Sequence, residues 1–566
     1  MYQFGFPYNS KYGLFVKEDE DFLTNYSEGS KAESYIFEIL KNAKDTSVFS
    51  EELQSKIKDW STEYHFSPYR SNILRPVEIT PDLDVLEVGA GTGVITRFLG
   101  ETGANIIAVE GALDRAKCIS ERCKGLENVK VICSNVELIQ FEKKFDIITL
   151  IGVFEYTDKY SKKDSSFFEA LQFYRSLLKP NGKLVIAIEN KLGLKYFAGY
   201  NEDHYGEPYI GLENRYEKNN VRTFGRVEIL SLLELGGFFN NEILYPFPDY
   251  KLSKAIITNL GLFHKSFNSI DLIRNLENRH YSYSPKENLL DERAVWETLH
   301  ENNILHEMSN SFLIISKVRS EKELGKPILG QYFNCDRKNN WSTQIDIFDS
   351  HDNSGIVCKK QNINGGNPIK KSNLIEQILP NKPTNYIEGD NLHSLIEKAL
   401  RSDNYILFEK YINLWIVFLI NEGITIENKI NLGLSVIKGD FYDCTPSNII
   451  LDQYGKLHFF DREWNVKVKL NLYFPLLKYL SRFGYRYLII GFLKSSVQRV
   501  LVQNNIEKPK WRDFQSFKKL ESEILNEVHF DSISLPINRF KSLVLLVKKL
   551  MRDFKLYLIR YKLIHH

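Results

Sequence analysis

Val85-Leu-Glu-Val-Gly-Ala-Gly-Thr-Gly-Val94 decides the fold of the first half of this 566-residue chain. Val85–Val88 is a short, β-branched, strand-like run. Glycines follow at 89, 91 and 93, and a helix-length segment, Val94–Glu101, comes next. A strand, a tight glycine turn and a helix start present backbone N–H groups and the positive end of a helix to a ligand. Glycines there remove Cβ atoms, so the backbone approaches the ligand closely. Glu87 lies inside the stretch, and Glu110 follows Gly93 by 17 residues, at the end of the next strand-like run. A carboxylate at that place hydrogen-bonds ribose hydroxyls. The spacing G-x-G-x-x-G of a dinucleotide site is absent, because Val94-Ile-Thr96 follows Gly93.

Working outward, Asn105–Val109, Val129–Cys133, Phe145–Ile151 and Lys183–Ile188 are further strand-like runs. Asp114–Cys123 and Ser165–Leu178 are helical between them. Alternation at this spacing builds a parallel sheet covered by helices, an α/β class. Upstream lie an amphipathic stretch at Lys31–Lys44 and an aromatic-basic segment, Trp60–Arg70. Residues 191–225 read as a long Gly- and Tyr-rich loop, which in a compact domain is usually functional. A helix Arg226–Leu235, a strand ending Leu244–Asp249, a helical stretch 251–308 and a strand Ser311–Lys317 complete this part.

The match of Leu86-Glu-Val-Gly-Ala-Gly-Thr-Gly93, Asn135-Val136, Asp146 and the turn Leu178-Lys-Pro-Asn-Gly182 resembles the class I S-adenosylmethionine (SAM)-dependent methyltransferases. The resemblance implies a Rossmann-like sheet with SAM as cofactor. Glu87, Gly89, Ala90, Gly91 and Gly93 would carry its methionine end, Glu110 its ribose, and Asn135 with Val136 would flank the adenine. Methyl transfer to a hydroxyl or amine also needs a base. Glu155 after the fourth strand, Glu189 after the fifth and His204 in the loop are the candidates. Glu189 reads equally as a helix cap and His204 as a solvated loop residue. Tyr196, Tyr200 and Tyr205 either stack on an acceptor or pack the loop down.

After Lys326-Pro327 the character changes. Strand-like runs Thr343–Phe348 and Gly355–Lys360 flank a turn, and helical patterns follow at Asn391–Arg401 and Glu409–Glu422. Asp443-Cys-Thr-Pro-Ser-Asn448 sets a carboxylate five residues before a carboxamide. Asn448-Ile-Ile-Leu-Asp-Gln-Tyr-Gly-Lys-Leu-His-Phe-Phe-Asp461 then supplies strand, turn, strand and a second carboxylate. Phosphoryl transfer uses a carboxylate near the acceptor hydroxyl and an Asn and Asp on Mg²⁺. The pattern resembles the protein-kinase-like fold, especially small-molecule and sugar kinases. That resemblance implies ATP and Mg²⁺, with Asp443 catalytic, Asn448 and Asp461 as metal ligands, and Lys359 pairing the phosphates with Lys360 as its alternative. Glu376 is the partner carboxylate, and Tyr386–Leu392 the hinge. Departures are Phe441-Tyr442 before Asp443, Arg462-Glu463-Trp464 after Asp461, and no glycine-rich phosphate loop before Thr343.

The boundaries expected are a helical extension at 1–60, the methyltransferase at 61–320, the kinase-like domain at 326–505 and a basic helical tail at 506–566. The composition, 43% hydrophobic and 26% charged, is that of a folded chain. A net charge of +2 offers no footprint for nucleic acid, so none is expected as a partner. Six scattered cysteines form no CxxC pair, which fits a reducing cytoplasm. The opening MYQFGFPYNSKYG lacks the basic patch and apolar run of a signal peptide, so none is expected there. Arg539–His566 carries eight Lys/Arg against Asp553 and one apolar helical face. It reads as a peripheral contact with the inner face of the membrane, or as a helix docked on its own domain.

The stretches Glu189–Gly199 and Tyr245–Tyr250 resemble methyltransferases of bacterial surface-polysaccharide clusters. A methyltransferase followed by a kinase resembles the bifunctional enzymes that cap O-antigen polysaccharides. The resemblances imply a glycan or glycolipid acceptor and polysaccharide assembly proteins as partners. The alternatives are a monofunctional methyltransferase whose second half only binds glycan or a partner, and a non-enzymatic scaffold.

Overall fold

The computed structural model describes residues 2–16, 30–160, 167–274, 276, 290, 292–318, 328–350, 355–480 and 492–529. Five buried runs form parallel strands: β1 (Asp84–Val88), β2 (Asn105–Glu110), β3 (Val129–Cys133), β4 (Phe145–Ile151) and β5 (Leu178–Glu189). They pair in the order β3-β2-β1-β4-β5. Alternate residues serve two cores, Leu86, Ile148 and Leu150 on one face and Val85, Ile147 and Val185 on the other. Helix α1 (Val94–Glu101) buries Ile95, Thr96, Leu99 and Gly100, the spacing of one helical face. Helix α2 (Leu113–Arg122) follows β2, and α3 (Phe167–Leu177) leads into β5.

Two antiparallel additions follow. Strand β6 (Asn240–Phe247) lies outside β8 (Ser311–Lys317), and β8 pairs with β5. Between them in sequence, Ala255-Ile-Ile-Thr258 forms β7, which corrects the helical reading of 251–308. Its four residues are all buried, and that burial favours the β-branched run as a strand. The extension at 1–60 is not purely helical either. Tyr2–Gln3, Phe6–Asn9 and Leu14–Phe15 are strands, and the last lies parallel to β3 through Phe15 and Ile132.

The same sheet continues into the second half. Strand β9 (Ile328–Asn334), absent from the sequence reading, pairs Ile256 of β7 with Gln331. It then meets β10 (Thr343–Asp349), which pairs with β11 (Ile356–Asn362). A separate core lies beneath, made by α4 (Leu392–Arg401), α5 (Tyr405–Phe418), α6 (Tyr473–Leu480) and α7 (Trp511–Val528). Phe517, Ile524 and Val528 of α7 are buried in that core, so residues 511–528 belong to the second unit and not to a free tail. The basic stretch Arg539–His566 lies outside the described residues, among which no helix is long and apolar enough to cross a membrane.

The join between the halves is tight. Thr258 Oγ donates to the Ile328 carbonyl at 2.7 Å and accepts from the Gly261 N–H at 3.0 Å. A Cβ on Gly261 would stand 1.9 Å from the Leu329 carbonyl oxygen. Gly261→Ala therefore forces the join apart and is expected to cost about 1–3 kcal/mol. The check is the denaturation midpoint; an unchanged midpoint contradicts this packing.

Candidate active site

The C-terminal ends of the parallel strands gather three sets of groups. At the end of β1, Gly89, Gly91 and Gly93 adopt φ of +68°, +58° and +82°. A Cβ on Gly89 would meet Val153 at 2.5 Å, whereas beside Gly91 no atom lies within 4 Å of that position. The loop is therefore packed from below and open above. Glu110 at the end of β2 accepts from the N–H groups of Gly91 (2.8 Å) and Ala112 (2.9 Å). Burial raises its carboxyl, against Arg115 and these donors. Burial likewise pushes Glu87 up to about 8, and its Oε2 is buried without a hydrogen-bond partner. Asn135, following β3, accepts the Glu137 N–H at 3.0 Å and caps a turn in which Val136 is buried. Ala90 lies against the end of β2, its N–H bonded to the Val109 carbonyl at 3.0 Å.

The segment Trp60–Arg70 clasps this loop from outside. His65 Nδ1 lies 2.8 Å from Thr92 Oγ. Buried Arg122 donates to the carbonyls of Thr92 (2.9 Å) and His65 (2.8 Å). The sequence flagged the segment but not these roles, because His65, Thr92 and Arg122 meet only through the fold.

The second set is the three candidate bases, which the structure brings together. Glu155 sits in a tight turn after β4, Glu189 ends β5, and His204 comes from the loop. One ligand atom from each lies within 4.8 Å of the others. Both glutamates are wholly buried. His204 Nδ1 donates to Glu202 Oε1 at 2.8 Å, and its Nε2 faces Glu155 at 3.8 Å. Glu202 Oε2 accepts the N–H groups of His204 (2.7 Å) and Tyr205 (2.9 Å). Glu189 pairs with Lys251, which also contacts Asp203 at 2.9 Å, and Lys195 reaches Asp203 at 2.7 Å.

Burial and the neighbouring Glu189 push Glu155 up to about 8. Burial alone would lower His204, but Glu202, then Glu189 and Glu155, raise it to about 9. His204 is thus neither solvated nor isolated, and Glu189 is an ion-pair partner and not a helix cap. Tyr196 and Tyr200 are buried and Tyr205 donates to the Val221 carbonyl at 3.0 Å, so these rings pack the loop down. The edge of Tyr156 meets His204, ring centres 5.3 Å apart.

In the second unit Asn448 donates to Asp443 at 2.9 Å, and Lys478 reaches the other oxygen of Asp443 at 2.9 Å. The indole of Trp415 holds this loop through the Cys444 carbonyl at 2.9 Å. After the hairpin Ile449–Leu451 and Leu457–Phe459, Asp461 pairs with Lys360 at 2.6 Å. Lys359, the first choice from sequence, is exposed on the outer face of β11, since neighbours on a strand point to opposite faces. Glu376 is also displaced from its expected role, pairing with exposed Lys371. Glu463 instead lies 3.1 Å from Lys360 and 2.8 Å from buried Arg337. Burial disfavours its charge, but Arg337 and Lys360 outweigh burial and bring Glu463 down to about 2.

Residues 86–186 match the family described as "Methyltransferase domain". The first half of the chain carries a class I SAM-dependent methyltransferase domain. The demethylmenaquinone methyltransferase of Tropheryma whipplei is 28% identical to this chain over 118 residues, 21% of this chain and 46% of that protein. The ubiquinone biosynthesis O-methyltransferase of Rickettsia felis is 28% identical over 123 residues, 21% and 46% of the two chains. Ribosomal RNA small subunit methyltransferase A of Alkaliphilus metalliredigens is 26% identical over 151 residues, 25% and 49%. The chain spans about half the length of the curated relatives it matches. Among solved structures, a SAM-dependent methyltransferase from Archaeoglobus fulgidus aligns at 17% identity and a TM-score of 0.27, covering 44% of this chain and 92% of that one. One from Aquifex aeolicus aligns at 18% and 0.25, covering 34% and 89%.

The two lysines separate this geometry from its sequence-level alternative. Lys360→Met leaves half-buried Asp461 and buried Glu463 beside one fewer cation and is expected to cost about 3–5 kcal/mol. Lys359→Met is expected to stay within about 0.5 kcal/mol of the parent. Denaturant midpoints of the two variants decide between them, and equal effects contradict the assignment.

Proposed function

We propose that the methyltransferase domain moves the methyl group of SAM to a hydroxyl-bearing acceptor, a sugar or sugar phosphate of a bacterial surface polysaccharide. The observation that carries this is the meeting of Glu155, Glu189 and His204, from three separate segments, at the strand ends that also carry the glycine loop. The cofactor's groups fit what the loop offers. Space is open beside Gly91, the Glu110 carboxylate is held at the strand end, and an unpartnered carboxylate oxygen of Glu87 suits a cationic ligand. SAM supplies an electrophilic methyl on a sulfonium. The Glu155, Glu189 and His204 cluster would hold the acceptor hydroxyl beside that methyl and take up its proton. The closed loop 191–225 sets the cluster apart from water, which strengthens its electrostatics.

The sugar acceptor rests on the sequence resemblance and on a cluster suited to a hydroxyl. The relatives named for quinones and ribosomal RNA match only a fifth to a quarter of this chain, so they leave the acceptor open. For the second unit, the Lys360–Asp461 pair and the Asp443–Asn448 contact favour phosphorylation of the same glycan with ATP and Mg²⁺. Asp443 would then be catalytic and Asn448 and Asp461 the metal ligands. The competing reading of that unit is a non-catalytic module that binds glycan or a partner. Contacts with polysaccharide assembly proteins and the inner face of the cytoplasmic membrane, the latter through Arg539–His566, complete the proposal.

Titration calorimetry of the full chain with SAM is expected to show one site. Glu110→Ala should weaken it roughly tenfold to a hundredfold, the loss of charge-assisted bonds to the ribose. Mass comparison of surface glycans with and without the gene should show loss of methyl groups, and of phosphate where the second unit is active. Unchanged glycans contradict the acceptor assignment, and full glycan phosphorylation by Asp461→Ala contradicts the kinase reading.

A further inference from the structure

We propose that Glu155, Glu189 and His204 form a binding site for one divalent cation of the Mn²⁺ or Mg²⁺ class, set where the acceptor hydroxyl meets the methyl donor. Among the described residues these three are the group of His, Cys, Asp and Glu whose donor atoms converge closely enough to share an ion. They come from the turn after β4, the end of β5 and the loop 191–225, so the fold, and not a local acidic run, assembles them. Two carboxylates and one imidazole, with no thiolate, form a donor set for a hard or borderline cation.

Two observations besides proximity point to a ligand. Glu155 is wholly buried, and neither of its carboxylate oxygens accepts a hydrogen bond. An ionised carboxylate in that state is costly unless a cation meets it. His204 is also oriented as a ligand histidine is. Its Nδ1–H is committed to Glu202, itself fixed by two backbone N–H groups, and its Nε2 is turned toward Glu155. A second carboxylate holding the far nitrogen is the usual support of a metal-bound imidazole.

Charge agrees with this. The contacts join four carboxylates (Glu155, Glu189, Glu202, Asp203) to two ammonium groups (Lys195, Lys251). Carboxyl groups therefore outnumber ammonium groups around the site. Lys251 lies between Glu189 and Asp203 and pairs with both. The ion's role there rests on the acceptor reading above. A hydroxyl bound to it loses its proton more readily and is held facing the methyl group.

The test uses the full chain freed of metal by a chelator and titrated with Mn²⁺ alone, free Mn²⁺ being followed by its paramagnetic resonance. One saturable site is expected without SAM. Glu155→Gln and His204→Gln should each weaken it at least tenfold. Glu202→Gln should weaken it roughly tenfold to a hundredfold, as loss of a supporting carboxylate does. SAM binding by these variants, read by calorimetry, reports that the domain is folded. Lys359→Met, at an exposed residue outside both clusters, should leave the Mn²⁺ titration unchanged. A parent that binds SAM and no Mn²⁺ overturns the inference while the methyltransferase reading stands. Mn²⁺ bound equally by folded Glu155→Gln, or lost in Lys359→Met, also overturns it. A parent that binds Mn²⁺ and no SAM removes the methyltransferase reading and leaves the ligand set supported.

Discussion

A carboxylate withdrawn from water keeps its charge only where cations or N–H donors replace the lost hydration. This constraint shapes both halves of the chain. In the first, wholly buried Glu155 and Glu189 sit at neighbouring strand ends with His204, Lys251 and Lys195 around them. In the second, Asp461 and buried Glu463 face Lys360 and Arg337. At effective dielectric constants near 20, opposite charges 4 Å apart attract by about 4 kcal/mol, enough to fix side chains that would otherwise be free. Each cluster therefore holds together segments distant in sequence.

The sheet provides the frame. Parallel strands β1 to β5 bring their C-terminal ends to one edge, where ligands of open α/β sheets bind. The glycine loop, Glu110 and the Glu155–Glu189–His204 cluster all lie along it. The antiparallel strands β8, β6, β7 and β9 extend the sheet away from that edge and carry it into the second unit. The pairing of β7 with β9 means the two halves share backbone hydrogen bonds, and the Thr258 hydroxyl adds a bond to the Ile328 carbonyl. A ligand in one half is thereby placed in a fixed relation to β9, the first strand of the other.

The parts legible in the sequence are those with local causes. Val85–Val88 and its glycines announce a strand and a turn because β-branching and absent Cβ atoms act within a few residues. Glu155 and Glu189 were found because one follows a strand closely and the other ends one, and strand ends are where a parallel sheet exposes groups to ligands. Partners across the chain were hidden. Glu202 and Lys251 matter through His204 and Glu189, contacts that no spacing reports. Lys359 and Lys360 are adjacent in a polar stretch of β11, so nothing local sets which one faces inward; register within the sheet does. Glu463 sat in the departure Arg462-Glu463-Trp464, and its pairing with Lys360 shows only in the fold. Ala255–Thr258 was too short a run to stand out among helical patterns, and pairing with β6 and β9 made it a strand.

The central claim is that cofactor and acceptor meet between the glycine loop and the buried cluster. A crystal structure of the full chain with S-adenosylhomocysteine tests it most directly. The account predicts the ribose on Glu110 and the sulfur turned toward Glu155, Glu189 and His204, with room for a hydroxyl oxygen between. A sulfur turned away from that cluster, or a cofactor bound elsewhere, contradicts it.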